Sequence, residues 1–213
     1  MTRKTFRRAP GDERRHDLIR ATLDCIAESG LHAVTVRSVA LRAGVSNGLI
    51  RHYFDCKDRM VQEAYRATMD DMTMLVKAAS TVAGAPARER LRRFVAANLG
   101  APVADIRRLT LWASFISMVH VDPAMAAIHR EHYLGFRGEL EVLLGEVFAE
   151  AGRLVRAPAR RRAAIKINGV IDGLWLEGTL APEMFAKNGL VAMGIEAVEA
   201  ILDLKLRATG KET

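Results

Sequence analysis

The chain has 213 residues, half of them hydrophobic and 27% charged, which is typical of a folded globular protein and excludes a collagen-like or largely disordered chain. The longest uncharged apolar stretch, residues 109–121, is shorter than the roughly 20 residues of a membrane span. The basic residues 1–10 lack the apolar run of a secretory signal. Cys25 and Cys56 form no CxxC pair. We therefore expect a cytoplasmic protein without membrane contact, disulfide, metal or cofactor.

The net charge of +7 is unevenly distributed along the chain. Residues 1–66 contain 13 basic and 8 acidic side chains, whereas residues 67–213 contain 19 and 17. A local basic excess attracts nucleic acid or, less often, an anionic membrane. On charge alone, a merely solvated surface is the better explanation, so nucleic-acid binding needs a motif in the same segment.

Hydrophobic spacing predicts an all-α fold of about nine helices. Ile19, Leu23 and Ile26 recur at helical intervals, and Gly30 suits the position just past a helix end. The run LHAVTV at 31–36 is the single strand-like stretch. The prolines separate the periodic segments, since proline is tolerated only in the first turn of a helix. The predicted helices cover about 12–29, 35–43, 57–79, 87–99, 103–119, 123–150, 159–179 and 186–207, with a further short helix opening at Ser46.

Residues 35–57, TVRSVALRAGVSNGLIRHYFDCK, have the spacing of a helix-turn-helix. Thr35 is suited to cap the first short helix, Gly44 to supply the positive φ of the turn, and Ser46 to cap the second helix. The buried contacts between the two helices would come from Val39, Ala40, Val45 and Ile50. A plain helical corner with charged outer faces is the alternative, but the basic surroundings favour DNA binding.

The second short helix would enter the major groove with its N-terminal end. Asparagine pairs with adenine, arginine with guanine, and leucine contacts the thymine methyl group. Hydroxyl and ammonium groups are suited to phosphates, which position the protein without specifying sequence. The expected base-facing residues are Asn47, Gly48, Leu49, Arg51 and His52, and the expected phosphate contacts are Thr35, Ser46, Tyr53 and Lys57.

This segment resembles the DNA-binding domain of TetR-family transcriptional regulators. The shared features are a threonine that opens the first short helix, the Ala-Gly-Val-Ser turn at 43–46, and the pair Tyr53-Phe54 followed by Lys57. The resemblance implies a homodimeric repressor of operator DNA, with a DNA-binding domain at 1–58 and a ligand-binding and dimerisation domain at 59–213. It adds Arg37 to the phosphate contacts. The family often has tyrosine at the position of Arg51, so the operator sequence does not carry over.

GVSNGLIRHYF and IDGLWLEG at 171–178 further resemble the choline-responsive repressors of glycine betaine synthesis within that family. A quaternary ammonium group is bound over aromatic faces, helped by a carboxylate. Asp172 lies between apolar neighbours and needs a partner. Aromatic side chains at helical spacing are more often core residues, and that alternative stays open. The candidate cage consists of Trp112, Phe115, Tyr133 and Trp175, with Asp172 as the counter-charge.

Two further interpretations remain at this point. The apolar stripes of the last two predicted helices suit either a homodimer interface or an intrachain core. The effector could also be another small molecule, such as a hydrophobic drug. An enzyme is disfavoured because no nucleophile elbow, phosphate-cradling glycine loop or paired acids are present. His129 and His132 lie three residues apart near Asp122 but lack a metal-binding motif.

Overall fold

A computed structural model describes residues 11–186 and 188–206. The predicted all-α fold is confirmed, and the described residues contain no strand. Two short 3-10 turns, Leu31–Ala33 and Pro182–Met184, accompany the α-helices. The helices are α1 (Gly11–Ser29), α2 (Val36–Ala43), α3 (Asn47–Phe54), α4 (Lys57–Ser80), α5 (Ala87–Leu99), α6 (Ile106–Ile116), α7 (Pro123–Glu150), α8 (Ala157–Leu180) and α9 (Gly189–Leu202).

Helix α6 is shorter than predicted because local hydrogen bonds set both of its ends. The Asp105 carboxylate accepts hydrogen bonds from the backbone N–H groups of Arg107 at 2.9 Å and Arg108 at 3.2 Å, so the helix begins after it. At the other end, the N–H of Met118 binds the carbonyl of Phe115, and this tighter turn closes the helix. Helix α9 is also shorter, since Asn188 adopts a left-handed conformation with φ 64°. Its predicted end at 207 falls outside the described residues.

The strand-like run at 31–36 forms no strand. Leu31–Ala33 make one 3-10 turn, and Val34 is buried at 1% exposure. The next residue, Thr35, is the N-cap of α2. The alternating pattern therefore reflects one buried valine between a turn and a helix cap.

The described chain groups into two compact units that do not follow the linear order. Unit 1 contains the residues up to 68 together with 110–128, and unit 2 contains 69–109 and the residues from 129 onward. Helices α4, α6 and α7 contribute residues to both units. The linear domain boundary between 58 and 59 stays a prediction.

The core of unit 1 contains an aromatic pair from α4 and α6. The rings of Tyr65 and Phe115 are stacked with their centroids 4.8 Å apart, and both side chains are fully buried. Burial raises the pKa of the Tyr65 hydroxyl to about 12. The Phe115 side chain therefore packs in the core of this unit.

Unit 2 relies on two glycines where α9 crosses its neighbours. A Cβ at Gly178 of α8 would come within 1.9 Å of Leu190, and one at Gly194 of α9 within 2.2 Å of Leu99. Both glycines are buried, so the helices approach more closely than any larger residue permits. No helix in the described part of the chain combines the length and apolarity that a membrane crossing requires.

Candidate DNA interface and ligand site

The three predicted cap and turn residues of the helix-turn-helix are confirmed. Thr35 Oγ1 accepts a hydrogen bond from the N–H of Ser38 at 3.0 Å, and the Ser38 hydroxyl accepts one from the N–H of Thr35 at 2.9 Å. This reciprocal capping box fixes the start of α2. Gly44 has φ 66° and ends α2 in the left-handed region. Ser46 Oγ accepts from the N–H of Leu49 at 3.3 Å and so starts α3.

The inner face of the motif holds α3 against the rest of unit 1. Val39, Ala40 and Ile50 are buried as predicted, whereas Val45 is half-buried. The N–H of Val45 donates to the carbonyl of Ala40 at 3.0 Å and closes the turn. Phe54, at the end of α3, is also buried. The orientation of α3 is therefore set by packing within this unit.

The outer face of α3 presents the expected base-reading residues. Asn47, Gly48, Arg51 and His52 are exposed, and Leu49 is half-buried. Solvent-exposed side chains at the start of a well-packed second helix are available to a DNA groove. Their pairing with particular bases stays a prediction.

The expected phosphate contacts surround this helix. The Ser46 hydroxyl accepts a hydrogen bond in its cap, which leaves its O–H proton available to a phosphate oxygen. The Thr35 hydroxyl accepts from the N–H of Ser38 and donates to Ser38 Oγ at 3.1 Å, so a phosphate would have to replace the second bond. Arg37 is exposed, and Lys57 is half-buried at the first position of α4. The Tyr53 ring is half-buried and meets His52 edge-on at 5.3 Å. Their phosphate contacts likewise stay predictions.

The five expected ligand residues are divided between the two units. Trp112 and Phe115 belong to unit 1, where Phe115 is part of the core. Tyr133, Asp172 and Trp175 belong to unit 2. Within unit 2, Tyr133 of α7 and Asp172 of α8 share a hydrogen-bond partner.

The shared partner is Asn168, a residue that the sequence analysis does not select. Its amide nitrogen donates to the Tyr133 hydroxyl at 2.8 Å and to Asp172 Oδ2 at 2.7 Å. The side chain is buried, with 2% of the residue exposed. Asn168 precedes Asp172 by one helical turn, which is the one sequence signal that points to it.

The Asp172 carboxylate is crowded by protein yet open to solvent. Burial raises its pKa from 3.8 to about 6, against the hydrogen bond from Asn168, which lowers it. The residue as a whole is nevertheless exposed. Such a carboxylate is suited to a cationic ligand, whose charge would replace the lost hydration.

The Tyr133 ring is covered by its own helix neighbours. His129 stacks on it at a centroid distance of 5.2 Å, and the Arg137 guanidinium lies 5.5 Å from the ring centre. Burial, followed by the charge of Asp172, raises the pKa of the Tyr133 hydroxyl. This residue therefore offers its hydroxyl more readily than a ring face.

Trp175 is a largely buried neighbour on α8, with 7% exposure. Its indole N–H donates to the carbonyl of Val103 at 3.1 Å. The indole nitrogen thus serves the packing of unit 2, and any ligand contact would use the ring.

The histidines of α7 contact neighbouring side chains. His132 Nε2 lies 2.8 Å from Asp70 Oδ1, and burial, together with the nearby His132, lowers the pKa of His129. Residues 11–186 and 188–206 bring together no cluster of three histidine, cysteine or acidic side chains that could hold a metal.

A helix-turn-helix with an exposed, well-capped second helix is the arrangement of a DNA-binding protein. Comparisons with known proteins agree with this class. Residues 18–64 match the bacterial regulatory proteins of the tetR family, and residues 87–203 match the C-terminal domain of BetI-type transcriptional repressors. The chain belongs to the TetR family, with a C-terminal part of the BetI type.

Individual relatives extend over nearly the whole chain. The HTH-type transcriptional regulator BetI of Paraburkholderia phytofirmans is 32% identical over 190 residues, which are 89% of this chain and 93% of that protein. A transcriptional regulator from Pseudomonas aeruginosa PAO1 has a similar structure, with a TM-score of 0.81, 34% identity, and coverage of 92% and 91%. A regulator from Saccharomonospora viridis, solved in complex with choline, has a TM-score of 0.70 at 20% identity, with 90% and 96% covered.

Proposed function

We propose that this protein is a homodimeric repressor whose affinity for operator DNA is controlled by choline or a closely related quaternary amine. The observation that carries the ligand assignment is the Asp172 carboxylate, held by Asn168 and both crowded and solvent-accessible. A quaternary ammonium group neutralises the charge of such a carboxylate and has no N–H proton to transfer to it. A neutral ligand would leave the carboxylate charge uncompensated and so would gain less binding free energy at this position.

The ligand's hydroxyl and its ammonium group have separate partners in this arrangement. The Tyr133 hydroxyl, which lies beside Asn168, is available to the hydroxyl of the ligand. The Asp172 carboxylate is available to its ammonium group. Aromatic side chains stabilise the onium methyl groups through their ring faces. The choline complex of the Saccharomonospora regulator, a protein of the same fold, supports this ligand class.

A two-fold dimer would present two copies of α3 to a roughly palindromic operator. Its interface is supported by apolar side chains that α8 and α9 leave exposed, namely Ile165, Leu176, Leu180 and Met193. The buried members of the same helices, such as Val198 and Ile171, pack within the chain instead. The predicted stripes therefore divide into an intrachain part and an exposed part.

Ligand control then follows from a difference in affinity between two conformations. Choline would favour the conformation whose two recognition helices do not fit the half-sites. A ligand shifts such an equilibrium only as far as its affinities for the two states differ.

Calorimetry with choline and its neutral carbon isostere, 3,3-dimethylbutan-1-ol, tests the ligand assignment. We expect choline to bind, and Asp172→Asn to weaken choline at least about tenfold, or about 1.4 kcal/mol, while leaving the isostere unchanged. Glu177→Gln, an exposed residue on the same helix, is the matched control. Absence of choline binding in protein that still binds DNA would refute the proposal.

A further inference from the structure

A long stretch of unit 2 is basic and contains no carboxylate. It extends from Ala151 to Ile171, between Glu150 and Asp172. Outside this stretch, residues 67–213 contain 13 basic and 17 acidic side chains, so the rest of that region is net negative. We call residues 153–166 the basic segment. Its cationic side chains are Arg153, Arg156, Arg160, Arg161, Arg162 and Lys166.

Most of this charge is not neutralised by acidic side chains among the described residues. Arg153 and Arg160 donate to backbone carbonyls, at 2.8 Å to Leu202 and 2.8 Å to Val155 respectively. Arg161 lies 3.6 Å from Glu141, with 72% of its side chain exposed. The remaining three cations are exposed and form no ion pair with the described residues: Arg156, Arg162 and Lys166.

The placement of these cations is unfavourable for α8 itself. The helix begins at Ala157, and its first turn contains no acidic residue. Cations near a helix N-terminus oppose the macrodipole, whose positive end lies there. Arg162 and Lys166 are separated by one turn on the same exposed face, where like charges repel. An external anion would relieve both effects.

We infer that the basic segment binds the phosphodiester backbone of DNA outside the operator half-sites. Five of its six cations are arginines, whose planar guanidinium groups match phosphate oxygens in pairs. Binding by charge alone requires no shaped pocket and carries no sequence preference. The inference rests on the proposed function in one respect: a repressor that binds operator DNA through α3 works in contact with long duplex DNA, which is a polyanion.

Two other occupants fit the segment less well. A membrane surface needs several apolar side chains to insert, and this segment exposes only two large ones, Leu154 and, at 46%, Ile165. A second copy of the chain, placed by two-fold symmetry on the same surface, would bring like charges together. DNA backbone therefore matches the segment best.

The test uses the whole chain with its expected operator contacts weakened by Arg51→Ala on α3 and Lys57→Ala on α4, which we call the recognition-helix variant. Into this background we introduce Arg156→Gln, Arg162→Gln and Lys166→Gln, none of which breaks an ion pair among the described residues. A charge control removes three cations elsewhere on unit 2, through Lys77→Gln, Arg93→Gln and Arg130→Gln. Lys77 and Arg93 are paired with Glu139 and Glu89, so Arg130→Gln alone serves as the control at an exposed cation. The probe is a fluorescent duplex of about 30 random base pairs, titrated between about 50 and 200 mM salt.

We expect the recognition-helix variant to retain salt-sensitive binding to this duplex. Each phosphate contact contributes about 0.9 units to the slope of log K against log salt, so the segment variant should lower the slope by about two to three units. The control should change it by less than about one unit.

Three results would overturn the inference. One is loss of all duplex binding in the recognition-helix variant, and a second is an equal decrease in the segment and control variants. Flotation with phosphatidylglycerol vesicles gives a third: if only vesicle binding depends on the segment, its partner is a lipid surface. Choline binding is independent of all three, so failure here and failure of the proposed function are distinguishable.

Discussion

The amide nitrogen of Asn168 lies 2.7 Å from the carboxylate of Asp172 and donates a hydrogen bond to it. The same nitrogen donates to the Tyr133 hydroxyl at 2.8 Å. One buried amide thus holds an acid of α8 and a phenol of α7 in fixed positions. Because both of its N–H groups are engaged, Asn168 cannot rotate without losing a partner.

Choline binding should depend on pH through Asp172. Its pKa lies near 6 because burial disfavours the charged form, and only that form attracts a cation. Choline itself keeps its charge at every pH. We therefore expect constant affinity above about pH 7 and a loss approaching tenfold per unit below about pH 6. Calorimetry across this range measures it, and a flat profile would show that Asp172 is not the counter-charge.

Asn168→Ala should shift this profile to higher pH. The hydrogen bond from Asn168 stabilises the carboxylate, so its loss raises the pKa of Asp172 further. Affinity should then decline at a higher pH than in the unmodified protein, while affinity at high pH changes less. A uniform loss of affinity at all pH values, with an unmoved midpoint, would indicate a structural role alone.

Arg51→Ala and Lys57→Ala should affect DNA binding in different ways. If Arg51 reads a guanine, its loss costs about 1–3 kcal/mol and relaxes preference at one base position. Loss of Lys57, a phosphate contact, should weaken binding evenly and lower the salt slope by about one unit. Binding to a library of operator variants separates these effects. The same loss in both variants on every sequence would contradict the assignment.

The close crossing of α8 and α9 predicts a stability difference between two glycines. Gly178→Ala places a Cβ 1.9 Å from Leu190 and should destabilise the fold by about 1–3 kcal/mol. Gly138→Ala, on an exposed helix position with no atom within 4 Å, should stabilise it by up to about 1 kcal/mol. Chemical denaturation measures both, and equal effects would argue against the close packing.

The sequence predicts elements well where the signals are local. The bounds of α5 and α7 match because Pro86 and Pro123 stand at their starts, and the caps Thr35 and Ser46 follow from side-chain chemistry. The ligand site is harder to predict because it depends on contacts between distant helices. Asn168 becomes visible only when α7 meets α8. Phe115, expected at the ligand, stacks on Tyr65 in the core of unit 1, and its ligand contact stays a prediction.

The net charge of a long region hides local clusters of like charge. Residues 67–213 have a net charge of only +2. Six of their cationic side chains nevertheless lie together at residues 153–166, a segment that contains no acidic residue. Net charge over a long region is insensitive to such segregation. The exposure and pairing of individual side chains, such as Arg162, reveal it.

The most direct test of ligand-controlled repression is the affinity for choline, measured with and without saturating operator DNA selected by the protein from genomic fragments. Coupling between two binding sites is reciprocal, so a ligand that weakens operator binding must itself bind more weakly when the operator is present, by the same factor. We predict that choline binds more weakly to the operator-bound protein. Equal affinity in the two titrations would contradict an inducer role for choline.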